Sequence, residues 1–387
     1  MSSPVTASSR QYIPISLDES LSLKGCKHAA HCLLYSSANC SGVVYVLVQM
    51  RFDGLIGFAG GEVDVDDVTV DEIIAATNRE LEEEINYHLN GVTQEEWICS
   101  HRDHSSTWIQ HFFAKELTGD ELTQLESTHM NAQHFPSESL GVFRVPIGGF
   151  DQRNSSKRFL TNFLRQRFAG NARQQFIETI HKLSLVSPED QEWMLSIESS
   201  GDSADTTVIS GGHEVKALLR ADIGVHYYAE EVDVTYGLMV VRDDGLFDFI
   251  GTHSTESDDK NSMIKTLNNN LYKDLGEEWL PIDWSSDWKT NAIPLSLDNG
   301  ASHVFSIQLN ATEFTAIETH LTECKNFGNK SYGVVRIPFQ FRGSTPKADS
   351  YVNRFFGGFL TQNFARNSKQ HLKHIYETDF NANSSHS

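Results

Sequence analysis

The chain has 387 residues, a formal net charge of −21 and a hydrophobic fraction of 39%, which is enough to fill the cores of two ordinary domains. The acid excess disfavours a protein that coats nucleic acid along its length, but it is compatible with an enzyme that grips one RNA end or a free nucleotide through metal ions. No apolar run approaches the ~20 residues of a membrane span, the polar N-terminus lacks a signal-peptide core, and the five cysteines form no CxxC pair, which suggests a reducing compartment.

In chain order, residues 43–48 (VVYVLV) predict a buried strand. The segment 57–87, GFAGGEVDVDDVTVDEIIAATNRELEEEINY, carries the strongest chemical signal. Its glycine pair, Gly60 and Gly61, lets backbone approach a ligand closely. The apolar Ile73, Ile74, Ala76, Leu81 and Ile85 predict the buried face of a helix. On that helix Glu80, Glu83 and Glu84 share one face. Like charges so placed repel, and a hard divalent cation such as Mg2+ relieves them while also binding substrate phosphates. Arg79 can clamp a carboxylate with a two-pronged hydrogen bond. A solvated acidic helix face is the bland reading of the same run. Further on, residues 108–114 and 140–145 predict strands, and residues 159–180 have helical periodicity. Arg153, Lys157, Arg158, Arg165, Arg167 and Arg173, interleaved with Phe159, Phe163 and Phe168, predict an amphipathic helix with a solvated basic face; guidance of an RNA 5′ end is the alternative.

A long-period repeat follows. MRFDGLIGF (50–58) returns as VRDDGLFDF (241–249), and GVFRVP (141–146) as GVVRIP (333–338). The offset of about 190 residues predicts two copies of one fold, at 12–186 and 213–380, with a Ser/Gly/Asp-rich linker at 187–212. Opposite Arg79, Glu80, Glu83 and Glu84 the second copy has Asn269, Asn270, Lys273 and Asp274. Lys273 puts positive charge where a cation would sit. The second copy is therefore expected to keep the fold without the metal chemistry, as a stability or partner domain, with a second active site of different design as the alternative.

Arg79-Glu80-Leu81-x-Glu83-Glu84 resembles the core of the Nudix box, Gx5Ex7REUxEExGU, in which U is a bulky aliphatic residue. The flanks depart from it. Asn86 stands where the box has Gly, Tyr87 stands at the last U, and Asp71 replaces the upstream Glu. Beyond the box, KHAAHCLLY (27–35), QMRFDGLIGFAGGEVD (49–64), HFFAKELT (111–118), ESLGVFRVP (138–146) and the NARQQ stretch ending at Gln175 resemble the snoRNA-decapping Nudix hydrolases and their inactive Syndesmos-like relatives. The intact REUxEE places the first copy on the enzyme side.

The resemblance implies an α/β protein with two Nudix folds in tandem, each an α/β/α sandwich with a mixed sheet. It implies water attack at phosphorus on a nucleoside diphosphate-linked substrate, an RNA 5′ cap or (deoxy)inosine diphosphate. Mg2+ or Mn2+ would be held by Glu80, Glu83, Glu84 and the carbonyl of Gly60, with Arg79 orienting a glutamate. Glu138 is a fourth ligand or general base by resemblance, or an exposed loop-end charge. His28, Arg51, Phe58 and Gln175 are implied nucleotide contacts; a strand-start histidine, a core phenylalanine and a solvated glutamine are the ordinary alternatives. Arg242, Phe249 and His371 keep part of that set in the second copy. Family members form homodimers, so an intramolecular pseudo-dimer is expected, in the nucleus (nucleolus, nucleoplasm) and/or cytoplasm. A Syndesmos-like RNA- or protein-binding scaffold is the competing reading.

Overall fold

The computed structural model describes residues 12–37, 43–65, 67–104, 107–148, 155–197, 213–227, 230–254, 260–275, 291–297, 300–323, 331–342 and 346–380. The first half runs β1 (Tyr12–Ile15), α1 (Leu17–Ser22), β2 (Lys27–Ser36), β3 (Val44–Arg51), β4 (Ile56–Gly57), β5 (Ala59–Glu62), α2 (Val70–Ile85), β6 (Trp97–Asp103), β7 (Trp108–Glu116), α3 (Gly119–Thr128), β8 (Ser139–Ile147), α4 (Ser155–Leu164), α5 (Ala172–Lys182) and α6 (Pro188–Ser196). The second runs β9 (His213–Tyr227), β10 (Glu230–Arg242), β11 (Phe247–Asp248), β12 (Ile250–Ser254), α7 (Lys260–Leu275), β13 (Asn291–Leu297), β14 (Gly300–Leu309), α8 (Ala311–Glu323), β15 (Ser331–Arg342), α9 (Pro346–Phe359) and α10 (Ser368–Ile375).

Side-chain alternation along the strands builds the layers. In β2, Leu33 and Tyr35 join one core, whereas Ala30, Cys32 and Leu34 join another. The first core takes Phe159 and Phe163 from α4, Phe176 and Ile180 from α5 and Met194 from α6. The second takes Ile73, Leu81 and Ile85 from α2, with Leu122 and Leu125 from α3. A helix layer thus covers each face of the sheet, giving the three-layer α/β/α arrangement. β3, β7 and β8 cover the three segments predicted as strands.

Strand order repeats between the halves. The path reads β6-β7-β2-β3-β8 and then β15-β10-β9-β14-β13, so each half has the same order when followed outward from the seam. β2–β7 and its counterpart β9–β14 are parallel, whereas β3–β8 and β10–β15 are antiparallel. The halves join edge to edge, β8 antiparallel to β15, with Phe143 opposite Gly333. The first core continues across this seam into Phe247, Phe355 and Phe359.

Two expectations need correction. The helical periodicity over 159–180 is divided between α4 and α5, with Gly170 at φ +51° just before the second. In the gap, Gln166 donates to the carbonyls of Gly245 and Asn363 at 3.0 and 3.2 Å and accepts from the Asn363 N–H at 2.6 Å. Those bonds to the second half hold the chain out of a helical path. The segment read as a solvated linker begins with α6, capped by Ser187 and with Met194 buried; residues 198–212 lie outside the described set. The basic stretch is also engaged structurally. Lys157 pairs with Asp190 at 3.2 Å, Arg158 with Asp244 at 3.6 Å, and Arg173 Nε donates to the Leu164 carbonyl at 2.9 Å. Arg153 lies outside the described residues.

Candidate metal centre

α2 positions the acidic residues, and its ends explain its length. Thr69 caps the first turn by accepting from Glu72 N–H at 3.2 Å. Asn86 closes the last turn in the left-handed region (φ 60°), donating to the Glu82 carbonyl at 3.0 Å. Glycine is the usual residue in this conformation and asparagine the next most tolerant, so Asn86 can stand where the box has glycine. Asp71 is exposed in the first turn of α2, outside the carboxylate cluster.

The carboxylates of Glu80, Glu84 and Glu138 converge, each offering an oxygen within 4.8 Å of the others. Glu80 and Glu84 are 7% and 3% exposed; Glu138, just ahead of β8, is exposed and reaches them from a different element. Burial pushes the Glu84 carboxyl up to about 8, against the Gly60 N–H, which donates to it at 2.9 Å, and the nearby Arg51 charge. Burial also raises Glu80, with Arg79 opposing. Arg79 clamps two glutamates, with Glu80 at 2.7 Å and Glu83 at 2.6 Å, and donates to the Glu62 carbonyl at 3.3 Å. Glu83 is therefore on the other arm of Arg79 and not among the three converging carboxylates.

The two glycines have different jobs. Gly60 sits at φ +147°, and a Cβ there would strike the Ala30 carbonyl. A Cβ on Gly61 would strike the Glu80 carboxylate itself. The result is an all-oxygen donor set, largely buried and incompletely neutralised by Arg79. It matches a hard divalent cation such as Mg2+ or Mn2+.

The remaining predicted residues are spread over the fold. His28, in β2, is buried and contacts His111 Nε2 through Nδ1 at 2.9 Å; His111 Nδ1 contacts Ser100 Oγ at 2.8 Å. Arg51 ends β3 and pairs with Asp53 at 3.4 Å. Gln175, on α5, is buried with its amide nitrogen lacking a partner. Phe58 is 2% exposed and packs on Phe112 and Phe176 at ring distances of 5.0 and 6.3 Å. It belongs to the core opposite α2. Sequence reasoning missed Gln49, which donates to Glu84 at 3.1 Å. A polar residue after the apolar VVYVLV run was the available signal.

A family model described as Nudt16-like, U8 snoRNA-decapping enzyme-like, matches residues 28–186 and again residues 215–379. The chain belongs to this family. The U8 snoRNA-decapping enzyme of Xenopus laevis is 36% identical over 186 residues, covering 46% of this chain and 84% of that protein. That of Bos taurus is 36% identical over 185 residues, 45% of this chain and 91% of that protein. The Tudor-interacting repair regulator protein of Homo sapiens is 29% identical over 174 residues, 43% of this chain and 78% of that protein.

Within this Nudt16-like chain, strand register aligns the two copies. Gly60 faces His31 across β2–β5, and Gly251 faces Lys216 across β9–β12. Lys216 Nζ lies 2.8 Å from Asp248 and 3.5 Å from Glu214, and Arg366 lies 2.6 Å from Glu214. Acid is matched with base here, unlike the first half's cluster. Arg242 pairs with Asp248 at 3.0 Å, Phe249 is buried, and His371 contacts Ser302 Oγ at 3.0 Å. Asn269 is exposed on α7; the side chains of Asn270, Lys273 and Asp274 lie outside the described residues.

Proposed function

We propose that the first half hydrolyses nucleoside diphosphate-linked substrates, with an RNA 5′ cap and (deoxy)inosine diphosphate as the compounds taken, using Mg2+ or Mn2+. The convergence of Glu80, Glu84 and Glu138 beside Gly61 carries this reading, and the similarity to U8 snoRNA-decapping enzymes supports the substrate class. Glu80, Glu84 and Glu138 would hold the cation, which would supply charge neutralisation on the diphosphate and a lowered pKa for the attacking water. Arg79 fixes Glu80 and Glu83. Glu138, the one of the three open to solvent, would take the proton of the attacking water on the oxygen that does not hold the cation. Arg51 binds phosphate, while His28 and the unpartnered Gln175 amide hydrogen-bond the nucleoside. Phe58 packs on Phe112 and Phe176.

Domain limits of 12–186 and 213–380 belong to the same reading, with the second domain as inert partner in an intramolecular pseudo-dimer. The mirrored strand order supports this, and light scattering should return the single-chain mass of 43.5 kDa. Among the described residues no helix is long and apolar enough to cross a membrane; residence in nucleus or cytoplasm is part of the same proposal.

The decisive experiment compares wild type with Glu84→Gln on capped RNA and on inosine diphosphate, with Mg2+, Mn2+ or chelator. Metal-dependent hydrolysis should fall by ~10²-fold or more in the variant. Absence of turnover on both substrates would favour the second reading, a binding scaffold, which the similarity to the Tudor-interacting repair regulator supports.

A further inference from the structure

β6 carries Cys99 and His101 two residues apart, which sends both side chains to one face of the strand. α5 carries Gln174 and Glu178 one helical turn apart, stacked on its own face. The elements meet so that ligand atoms of Cys99, His101 and Glu178 all lie within 4.8 Å of one another. The cluster shares no residue with the Glu80, Glu84 and Glu138 group, and α5 contributes to the core on the sheet face opposite α2.

As a hydrogen-bond set the cluster does not close. His101 Nε2 is 3.1 Å from Glu178 Oε1, and Gln174 Nε2 is 3.0 Å from His101 Nε2 and 3.1 Å from Glu178 Oε1. A ring nitrogen of neutral histidine either donates or accepts. If Nε2 donates to Glu178, it and Gln174 Nε2 both point an N–H at the same carboxylate oxygen, and the two nitrogens are left 3.0 Å apart with no hydrogen between them. If it accepts from Gln174, its lone pair confronts the carboxylate. Turning the Gln174 amide over sets its oxygen against the Glu178 oxygen instead. Each arrangement leaves one pair of like ends in contact. His101 is fully buried, and its Nδ1 has no partner. The Cys99 sulfur lies within 4.8 Å of the same Glu178 carboxylate. A cation between the sulfur, Nε2 and Glu178 Oε1 turns a lone pair of each toward positive charge, while the Gln174 N–H keeps its bond to Glu178.

We propose that Cys99, His101 and Glu178 form a Zn2+ site. Thiolate, imidazole and carboxylate are zinc donors, and the sulfur sets this site apart from the all-oxygen centre on α2. Tetrahedral zinc holds such donors about 3.3–3.7 Å apart; Nε2 and Oε1, now 3.1 Å apart, would open slightly, and the other separations already lie within 4.8 Å. Three protein ligands leave a fourth position for water or a small ligand. Cys99 and Glu178 also line a cavity of about 380 Å³ walled by Ile177, Met194 and Leu195, which gives that position access. A cysteine ligates zinc as the thiolate, so zinc uptake releases a proton. The Lys182 ammonium is occupied by the carbonyls of Ile98 and Trp97 at 2.7 and 3.3 Å.

The test is Co2+ titration of the full chain after chelator treatment, because cobalt bound to a thiolate shows a sulfur-to-metal charge-transfer band. The band should reach the intensity of one thiolate-bound Co2+ per chain, bleach on Zn2+ addition, vanish in Cys99→Ala and persist in Glu84→Gln. Glu178→Gln should weaken Co2+ binding ~10-fold or more. If Cys99→Ala does not fold, as judged by circular dichroism, Cys99→Ser replaces it. A wild-type protein with no thiolate band, or a band that survives removal of the Cys99 sulfur, overturns the proposal.

Discussion

Gly61 leaves room for the Glu80 carboxylate, and a single methyl group there would fill it. Gly61 is not in the left-handed region, so alanine is tolerated by the backbone and the cost falls on the glutamate. Displacing a catalytic group by about 1 Å can cost ~10²-fold. Gly61→Ala is therefore expected to lower kcat/KM on capped RNA by about that factor while leaving the unfolding free energy within ~1 kcal/mol. A wild-type rate in that variant would remove Glu80 from the proposed centre. Gly60→Ala should differ, since its φ of +147° strains any side chain and its Cβ meets backbone. The helix glutamates were legible in the sequence because Glu80, Glu83 and Glu84 fall at helical spacing on one segment. That spacing could not tell them apart. Arg79 draws Glu83 to its other arm, while burial claims Glu84. Glu138 reaches the cluster from the start of β8, a proximity that only folding creates.

At the level of elements, strands with apolar runs and the amphipathic α2 were legible, because burial writes a period into the sequence. The break between α4 and α5 was not, because its cause is a set of hydrogen bonds to the other half of the chain. Buried histidines on β7 and α10 set an acid limit on these elements. Burial lowers His111 to about 3, with His28 adding to the effect, and lowers His371 to about 4, with Lys216 adding. Above an unfolded pKa of about 6.5 both rings are neutral in either state, and their contribution is fully present. As pH falls below that value the unfolded chain takes up protons that the folded one refuses, so stability is lost toward pH 4 and 3. For His371 alone the loss between pH 6.5 and its folded value comes to about 3 kcal/mol. Urea unfolding from pH 7.5 to 4 should show this decline, with a shallower slope in His371→Gln. A flat profile between pH 6.5 and 5 would contradict it.

At the scale of the whole molecule, the seam between halves is built from a reciprocal pair of glutamines. Gln166 binds Gly245 and Asn363 of the second half, and Gln362 donates to Gly54 and Arg167 of the first at 2.9 Å each while accepting from the Arg167 N–H at 2.7 Å. Gly54 lies in the turn after Arg51, whose backbone it also contacts. The second half, whose own charged interior is self-paired, thus braces the turn beside the proposed phosphate-binding arginine. Gln362→Ala strips partners from buried backbone groups, and each unsatisfied group costs ~1–3 kcal/mol. The variant is expected to lose about 3 kcal/mol of stability, and Gln166→Ala a similar amount. Because the two amides interleave through neighbouring residues, the double variant should cost less than the sum of the singles. Calorimetry of the intact chain should give one transition for wild type, since the larger core runs unbroken across the seam. Two resolved transitions in wild type, or a Gln362→Ala variant as stable as wild type, would mean that the halves stand independently and that the second half does not hold the first in its working shape.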